Sequence, residues 1–562
     1  MARPQGARHG PAGWLRDPTP PAVLLVAVSA ALLVLLPLAM MVRTAWREGS
    51  GDLGEVLSRP GLDQAVVNSV LLALAVTLLA VPGGALLAVA LRNPDLPARG
   101  LLRVGVLMPI LVPDFVLAYS WLRAYGRAGF TDDLLGIDWP GLEGPVGVTA
   151  VIAVNAVPVA YVVSAVGLAA RAEPALERAA RVAGAGGLTV LRTITLPLMR
   201  PALATAAMLV FVLTLGSFAI PQVMGSPAGF ATVATRIYAN LSRSSDPAAF
   251  IEAILLALLL VAIAIVVVAP ADQLLGPRLR VTRTATTDPA PSACGSRSSG
   301  RLVAATVGGY LVLAVGLPLV ALMTTALSQA VGLPPVPANW TLDNFRSVLT
   351  SRNGEALGRS ILLGLAAASM LVVLGGVVAA LERTRFGRGT GTLVLLTFVL
   401  PGSTLAVGLL ITYGRWLGDS VLIILLAYLA KLWAYAHRPI SGALDRLPPD
   451  ELSASRISGA SPLVALRTVV LRPMAPAVVA AWLVCFLTAL HEVTMSSLLY
   501  GPGSETLAVV VLNSGELGQV GQTAALSVLL TLLLLLPAGL CWAAVRRLDV
   551  TRATRRETVD AV

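Results

Sequence analysis

Four ionisable side chains interrupt stretches of this chain that are otherwise free of charge: Asp114, Lys431, and the adjacent pair His491 and Glu492. An ionisable group in mid-span costs about 2.5–3.5 kcal/mol to place in hydrocarbon and usually faces a cavity or a partner. Two arrangements satisfy that rule. The four line a passage, where Asp114 or Glu492 would attract a cation, or they pair with one another or with backbone, Asp114 with Lys431 being one such pairing. Phosphate chemistry is excluded more firmly. A loop that cradles nucleotide phosphates follows Gly-x-x-x-x-Gly-Lys-[Ser/Thr], and the single lysine here stands in Leu429-Ala-Lys-Leu-Trp433. The three cysteines, Cys294, Cys485 and Cys541, have no ligand or redox spacing. No metal site, no catalytic residue and no bound cofactor is expected.

The elements around these groups are set by composition. The 562 residues are 56% hydrophobic and 13% charged, with a mean hydropathy of +0.81, whereas soluble domains carry about 25% charged residues. Apolar runs of about 18 or more residues recur, each able to cross a hydrocarbon core as a helix. Twelve spans are expected, near 21–42, 65–91, 102–125, 146–170, 201–221, 248–271, 302–325, 359–381, 390–413, 419–437, 474–499 and 520–545. The first follows Arg3, Arg8 and Arg16, lacks a small-residue cleavage site and reads as a retained membrane helix. Twelve spans put both termini on one side. On that side fall 29 arginines, against 11 on the other, and basic residues favour short cytoplasmic loops, so both termini are expected inside. The net charge of +11 comes from arginines at the ends of apolar segments, which suits contact with anionic lipid rather than nucleic acid.

Two loops repeat at a fixed offset of 275 residues. One runs Pro174-Ala-Leu-Glu-Arg-Ala-Ala-Arg181 to Gly184-Ala185, then Arg192-Thr-Ile-Thr-Leu-Pro197 and Pro201; the other runs Pro449-Asp-Glu-Leu-Ser-Ala-Ser-Arg456 to Gly459-Ala460, then Arg467-Thr-Val-Val-Leu471 and Pro476. Ala175 to Ala183 is rich in helix formers, with Leu176, Ala179, Ala180 and Ala183 on one face. Gly184 suits a left-handed helix end, and Pro197 and Pro201 should break and restart the chain. A helix of this size is about 14 Å long, enough to fill a groove on a soluble protein. Lying flat on lipid is the alternative for such a helix, but a pair in register favours a two-fold partner.

The repeat extends further. Ser69 with Gly83-Gly84 matches Ser360 with Gly375-Gly376, and Met108-Pro109 matches Leu400-Pro401, at offsets of 291–292. The change of offset marks an extra segment in the first half, Arg127 to Gly144. The expected organisation is a first six-span half at 1–272, a linker at 273–301 rich in Arg, Thr, Ser and Pro, and a second half at 302–562.

The two loops resemble the Glu-Ala-Ala loop of permease subunits of ATP-binding-cassette (ABC) importers. Ala179, Ala180, Gly184, Ile194, Leu196 and Pro197 fit its spacing, with Arg178 at the Glu position and Glu177 beside it; Ala185 follows the glycine. The second copy keeps Ala454, Gly459, Ala460, Val469 and Leu471 but has Ser453, Ser455 and Arg472 at the Glu, Ala and Pro places. Across nearly its whole length the chain is similar to fused inner-membrane permeases for iron(III), thiamine and aminoethylphosphonate. His491 to Ala508, and Val112-Pro-Asp-Phe-Val-Leu-Ala-Tyr119, resemble the iron(III) group most.

The resemblance implies an all-α transmembrane fold of the type I ABC importer kind. It implies a cell-membrane location, two copies of a separate ATPase docked on the loops and using the ATP, and an extracytoplasmic binding protein that delivers substrate. Recognition by that binding protein favours pairing over passage for the four buried ionisable groups. An ion-gradient-driven carrier of twelve spans is the rival. Its usual loop signature finds only a loose echo in Ala380-Leu-Glu-Arg-Thr-Arg-Phe-Gly-Arg388.

Overall fold

The computed structural model describes residues 20–48, 58–93, 95–171, 174–279, 297–334, 336–350, 352–384, 390–448, 451, 454–455 and 457–560. Most of the expected linker, Cys294, and the Pro449, Leu452, Ser453 and Arg456 positions of the second loop lie outside them. Every regular element among the described residues is helical, apart from one isolated bridge between Ser328 and Trp340. Helices satisfy their own backbone polar groups, which a bilayer core demands. Ten are long and apolar enough to cross a membrane, and a bent pair, Arg99–Leu111 with Asp114–Leu135, makes up to eleven.

The difference from twelve lies in the third span of each half. The expected spans 102–125 and 390–413 are each cut in two: Arg99–Leu111 and Asp114–Tyr125 in the first half, Thr390–Val399 and Gly402–Leu417 in the second. Pro113 and Pro401 stand at the restarts with nearly identical backbone angles, φ −56° ψ 141° and φ −59° ψ 143°. Proline lacks the N–H that would continue the ladder and biases its predecessor away from helix. Pro113 is thus the counterpart of Pro401. Pro109, which the sequence pattern had matched to it, sits inside an unbroken helix.

A second expectation is corrected at Pro197 and Pro201. The chain does not break there: Gly187–Leu215 is one long helix. A wide turn at Leu191–Thr195, in which Leu196 N–H reaches back five residues to the Leu191 carbonyl, precedes Pro197. Such a π segment absorbs the missing proline N–H without ending the helix. The second half has the same device at Leu466–Leu471, 275 residues on.

Two compact units emerge. One comprises the chain up to Arg47, Asn353–Val510 and the residues from Leu532 onward; the other comprises Glu48–Arg352 and Val511–Thr531. Each unit takes its first helix from the other half of the sequence. In the unit built on the first half, Leu62–Ala90 packs on Pro145–Arg171 so closely that a methyl group at Gly84 would fall 2.5 Å from Tyr161 N. Third-span residue Tyr125 donates its hydroxyl to the Leu313 carbonyl at 2.6 Å, and Trp121 donates to Ala314 at 3.0 Å. Both carbonyls belong to a π segment, Val312–Gly316, whose irregular ladder leaves acceptors free. In the other unit, Tyr413 donates to Leu32 O at 2.8 Å, within the π segment Ala31–Leu35. There Gly375 is the tight position, where an added methyl group would fall 2.8 Å from Ala436 Cβ.

Hydrogen bonds repeat between the units as well. Ser69 Oγ accepts from Val233 N at 2.8 Å and Ser360 Oγ from Leu507 N at 2.7 Å. Asn68 donates to Ala231 O, and its counterpart Arg359 donates to Glu505 O. The duplication read from sequence is thus carried in three dimensions down to single polar contacts.

Candidate functional site: the paired loops and the polar groups behind them

Pro174–Val182 forms the helix expected in the first loop. Gly184 ends it at φ +86°, and Ala185 N donates to Ala180 O at 2.9 Å. In the second loop Gly459 has φ +77°, and Ala460 N donates to Ser455 O at 3.0 Å. These are the same six-to-one closures at a left-handed residue, a conformation glycine adopts without steric penalty. The two glycine turns therefore match in geometry as well as in spacing.

The orientation of the first helix is the reverse of an ordinary amphipathic one. Its apolar residues point outward: Leu176, Ala179 and Ala183 are exposed, and Val182 is 90% exposed. Its acidic residue points inward: Glu177 is only 7% exposed. Arg92, in the turn after the second span, holds that carboxylate with both arms, Nη1 to Oε1 at 3.0 Å and Nη2 to Oε2 at 2.7 Å. Thr195 Oγ1 adds a third bond at 3.2 Å. Burial by itself raises the carboxyl's pKa, but the Arg92 hydrogen bonds and charge outweigh it and hold the group below the usual carboxylate range. Ile194, Leu196 and Pro197 follow in and after the wide turn, each partly buried. In the second loop Ala454 is exposed, and Ile457, the counterpart of Val182 at the 275-residue offset, is 88% exposed. Val469 and Leu471 lie in the second wide turn. Arg383, the counterpart of Arg92, bonds Asp445 and the Ser441 carbonyl instead. Val182, Ile457 and Arg92 were not singled out in the sequence; the first two occupy matching offsets, which is the signal that could have found them.

Three of the four ionisable residues of the apolar spans, Asp114, Lys431 and Glu492, have local hydrogen-bond partners. Asp114 opens the second piece of the broken third span and accepts from Asn155 Nδ2 at 2.6 Å. Lys431, in the fourth span of its half, donates to the Phe398 carbonyl at 2.9 Å and to that of Leu400, at the C-terminal end of the first piece of the broken third span, where unpaired carbonyls favour a cation. Gly84 abuts Ala160 and Tyr161 as Gly375 abuts Ala436 and His437; the same register pairs Asn155 with Lys431. One position of the fourth span thus serves the proline break in both halves, with an amide in one and an ammonium in the other. Glu492 accepts from Met495 N at 2.9 and 3.0 Å and from Ser496 N at 3.2 Å, capping the turn Ser496–Leu499. His491 Nδ1 is buried without a hydrogen-bond partner among the described residues. Glu252, an in-span carboxylate passed over in the sequence, is 1% exposed and paired with Arg236 and Arg59.

Among the described residues no group of three or more His, Cys, Asp or Glu is placed to hold a metal ion. The arrangement is a membrane bundle in which Asp114, Lys431 and Glu492 are hydrogen-bonded locally, with two exposed apolar side chains in equivalent loops.

Comparison with known proteins agrees. The family described as "Binding-protein-dependent transport system inner membrane component" matches residues 80–281 and again 371–549. A probable ABC transporter permease protein, y4fN, of Sinorhizobium fredii is 24% identical over 91% of this chain and 90% of its own length. The Fe(3+)-transport system permease protein FbpB 2 of Haemophilus influenzae is 23% identical over 87% of this chain and 91% of its own. A putative 2-aminoethylphosphonate transport system permease protein, PhnV, of Salmonella paratyphi A is 28% identical over 42% of this chain and 92% of its own. With the family matched twice, over more than half its length and once in each half, the chain belongs to the inner-membrane components of binding-protein-dependent transport systems and is a fused permease of an ABC importer.

Proposed function

We propose that this chain forms the whole translocation pathway of an importer powered from outside itself. Two copies of an ATPase subunit dock on its paired loops in the cytoplasm, and a binding protein delivers substrate to the opposite face. Both termini are cytoplasmic, as the 29-to-11 division of arginines favours. The observation that carries the reading is the pair Val182 and Ile457. Two β-branched apolar side chains, each about nine-tenths exposed at equivalent positions beside matching glycine turns, are the knobs a two-fold partner would cover. Exposed apolar groups with that placement mark an interaction surface. The chain makes and breaks no bond: its one lysine is committed to the Phe398 and Leu400 carbonyls.

Two substrate readings each have an observation behind them. Iron(III) rests on the His491–Ala508 stretch and on a relative named for Fe(3+) transport. 2-Aminoethylphosphonate rests on the similarity to PhnV. The docking reading is tested by Val182→Asp combined with Ile457→Asp. The variant should insert normally and lose co-purification of the ATPase subunit, since a buried unpaired carboxylate at each contact costs several kcal/mol. Undiminished co-purification would remove the loops from the interface.

A further inference from the structure

One unit contains a cavity of about 270 Å³ that the loops and the capped charges leave unexplained. Its walls carry Tyr119, Arg123, Glu143, Gln222, Glu516 and Thr523. Glu143 belongs to the extra segment found only in the first half, and it precedes the helix Pro145–Arg171. That helix ends beside the first docking helix, Pro174–Val182, and its 27 residues span about 40 Å. The cavity therefore lies a full membrane width from the docking loops, on the face where substrate arrives in the reading above.

Val233–Ser242 and Leu507–Glu516 are counterparts with the same ten-residue length, and beside their ends Arg243 and Glu516 form an ion pair at 2.9 Å. Gln222 Nε2 donates to the other Glu516 oxygen at 2.8 Å, so both oxygens of Glu516 are engaged. Two charges of the lining make no hydrogen bond or close ion pair among the described residues: the Arg123 guanidinium and the Glu143 carboxylate, which attract one another across the gap, with Asp133 also within electrostatic reach of Arg123. Tyr119 brings its hydroxyl against Gly515, where a methyl group would fall 1.6 Å from Oη; the glycine leaves that hydroxyl room at the cavity wall.

A guanidinium and a carboxylate that face one small cavity without bonding each other directly are complementary to a solute carrying both signs. The guanidinium fork matches a carboxylate, phosphonate or phosphate with two parallel bonds, and the opposing carboxylate matches an ammonium. A bare Fe(III) ion would meet the Arg123 cation and too few oxygen ligands. We infer that this cavity is an outer substrate-receiving site for a small zwitterion, its oxyanion held by Arg123 and its amine by Glu143. The inference rests on the importer reading and chooses between its two substrates.

The test uses the full chain in lipid nanodiscs, read by tryptophan fluorescence, since Trp121 and Trp139 pair at 6.4 Å between ring centroids beside Arg123. The probes are 2-aminoethylphosphonate, ethylphosphonate without the amine, putrescine without the oxyanion, and ferric citrate. 2-Aminoethylphosphonate should bind most tightly. Arg123→Gln should weaken it about tenfold or more, the loss of a charge-assisted bond, while Glu143→Gln should weaken it and leave ethylphosphonate unchanged. Equal binding by wild type and Arg123→Gln, a flat titration with both phosphonates, or a response to ferric citrate alone would overturn the inference. ATPase co-purification with the same variants separates the two failures. If wild type does not bind the ATPase, the importer reading fails; if it does and the titrations are flat, the zwitterion site alone fails.

Discussion

Glu177 shows how one side chain can turn a helix around. Its carboxylate is taken up by Arg92 and Thr195, and that inward pull leaves Leu176, Ala179 and Val182 facing outward. Replacing it with glutamine removes the charge that Arg92 needs and leaves a partly buried guanidinium without its counter-ion, at a cost of about 1–3 kcal/mol. Hydrogen exchange over Pro174–Val182 should rise in Glu177→Gln at neutral pH. Because the folded carboxyl titrates below its unfolded value near 4.5, its contribution is complete above that pH and is lost as pH falls through the depressed value. Wild type should therefore lose protection on acidification below about pH 4.5, and the glutamine variant should show a flatter acid limb. Unchanged neutral protection in the variant would mean that Arg92 does not anchor the helix. None of this was legible from the sequence, where Glu177 looked like a displaced motif residue; a bond between residues 85 positions apart leaves no local pattern. Asp114, Lys431 and Glu492 were visible as anomalies, since charge in an apolar run stands out. Their partners, Asn155 and backbone groups, were invisible for the same reason as Arg92.

The helices were legible as lengths, and their irregularities were not. Apolar runs gave ten spans directly, because a bilayer requires continuous apolar helix. The chain was expected to break at Pro197 and Pro201 and to run on through Pro113 and Pro401, yet Pro109, Pro197 and Pro201 sit in continuous helices while Pro113 and Pro401 stand at breaks. What decides is whether neighbours supply an alternative: a wide turn before Pro197, or side chains such as Asn155 and Lys431 at the cut ends. Glycine follows the same logic. Gly84 and Gly375 permit backbone contact between the second and fourth spans, whereas Gly376 has nothing within 4 Å of where a methyl would lie. Gly84→Ala and Gly375→Ala should each destabilise the bundle by about 1–3 kcal/mol through overpacking, and Gly376→Ala should be neutral or slightly stabilising. Thermal unfolding in detergent measures this; equal effects at Gly375 and Gly376 would contradict the packing described.

At the scale of the molecule, duplication is the property the chain exploits. Repeated loops, repeated π segments and repeated serine contacts give two equivalent halves, and each compact unit borrows its first helix from the other half. The halves have diverged at particular places: Lys431 stands where the other half has Asn155, Arg383 bonds Asp445 and the Ser441 carbonyl, and an extra segment on the first half furnishes Glu143. Work done by a separate ATPase would reach such a molecule through its two loops together. The most direct measurement is ATP-driven uptake in proteoliposomes containing the chain, its ATPase and its binding protein, comparing wild type with Ala179→Pro plus Ala454→Pro. A proline in each loop helix costs about 3 kcal/mol of helix stability and should abolish uptake while leaving insertion intact. Uptake at the full wild-type rate in a correctly inserted double variant would contradict the account.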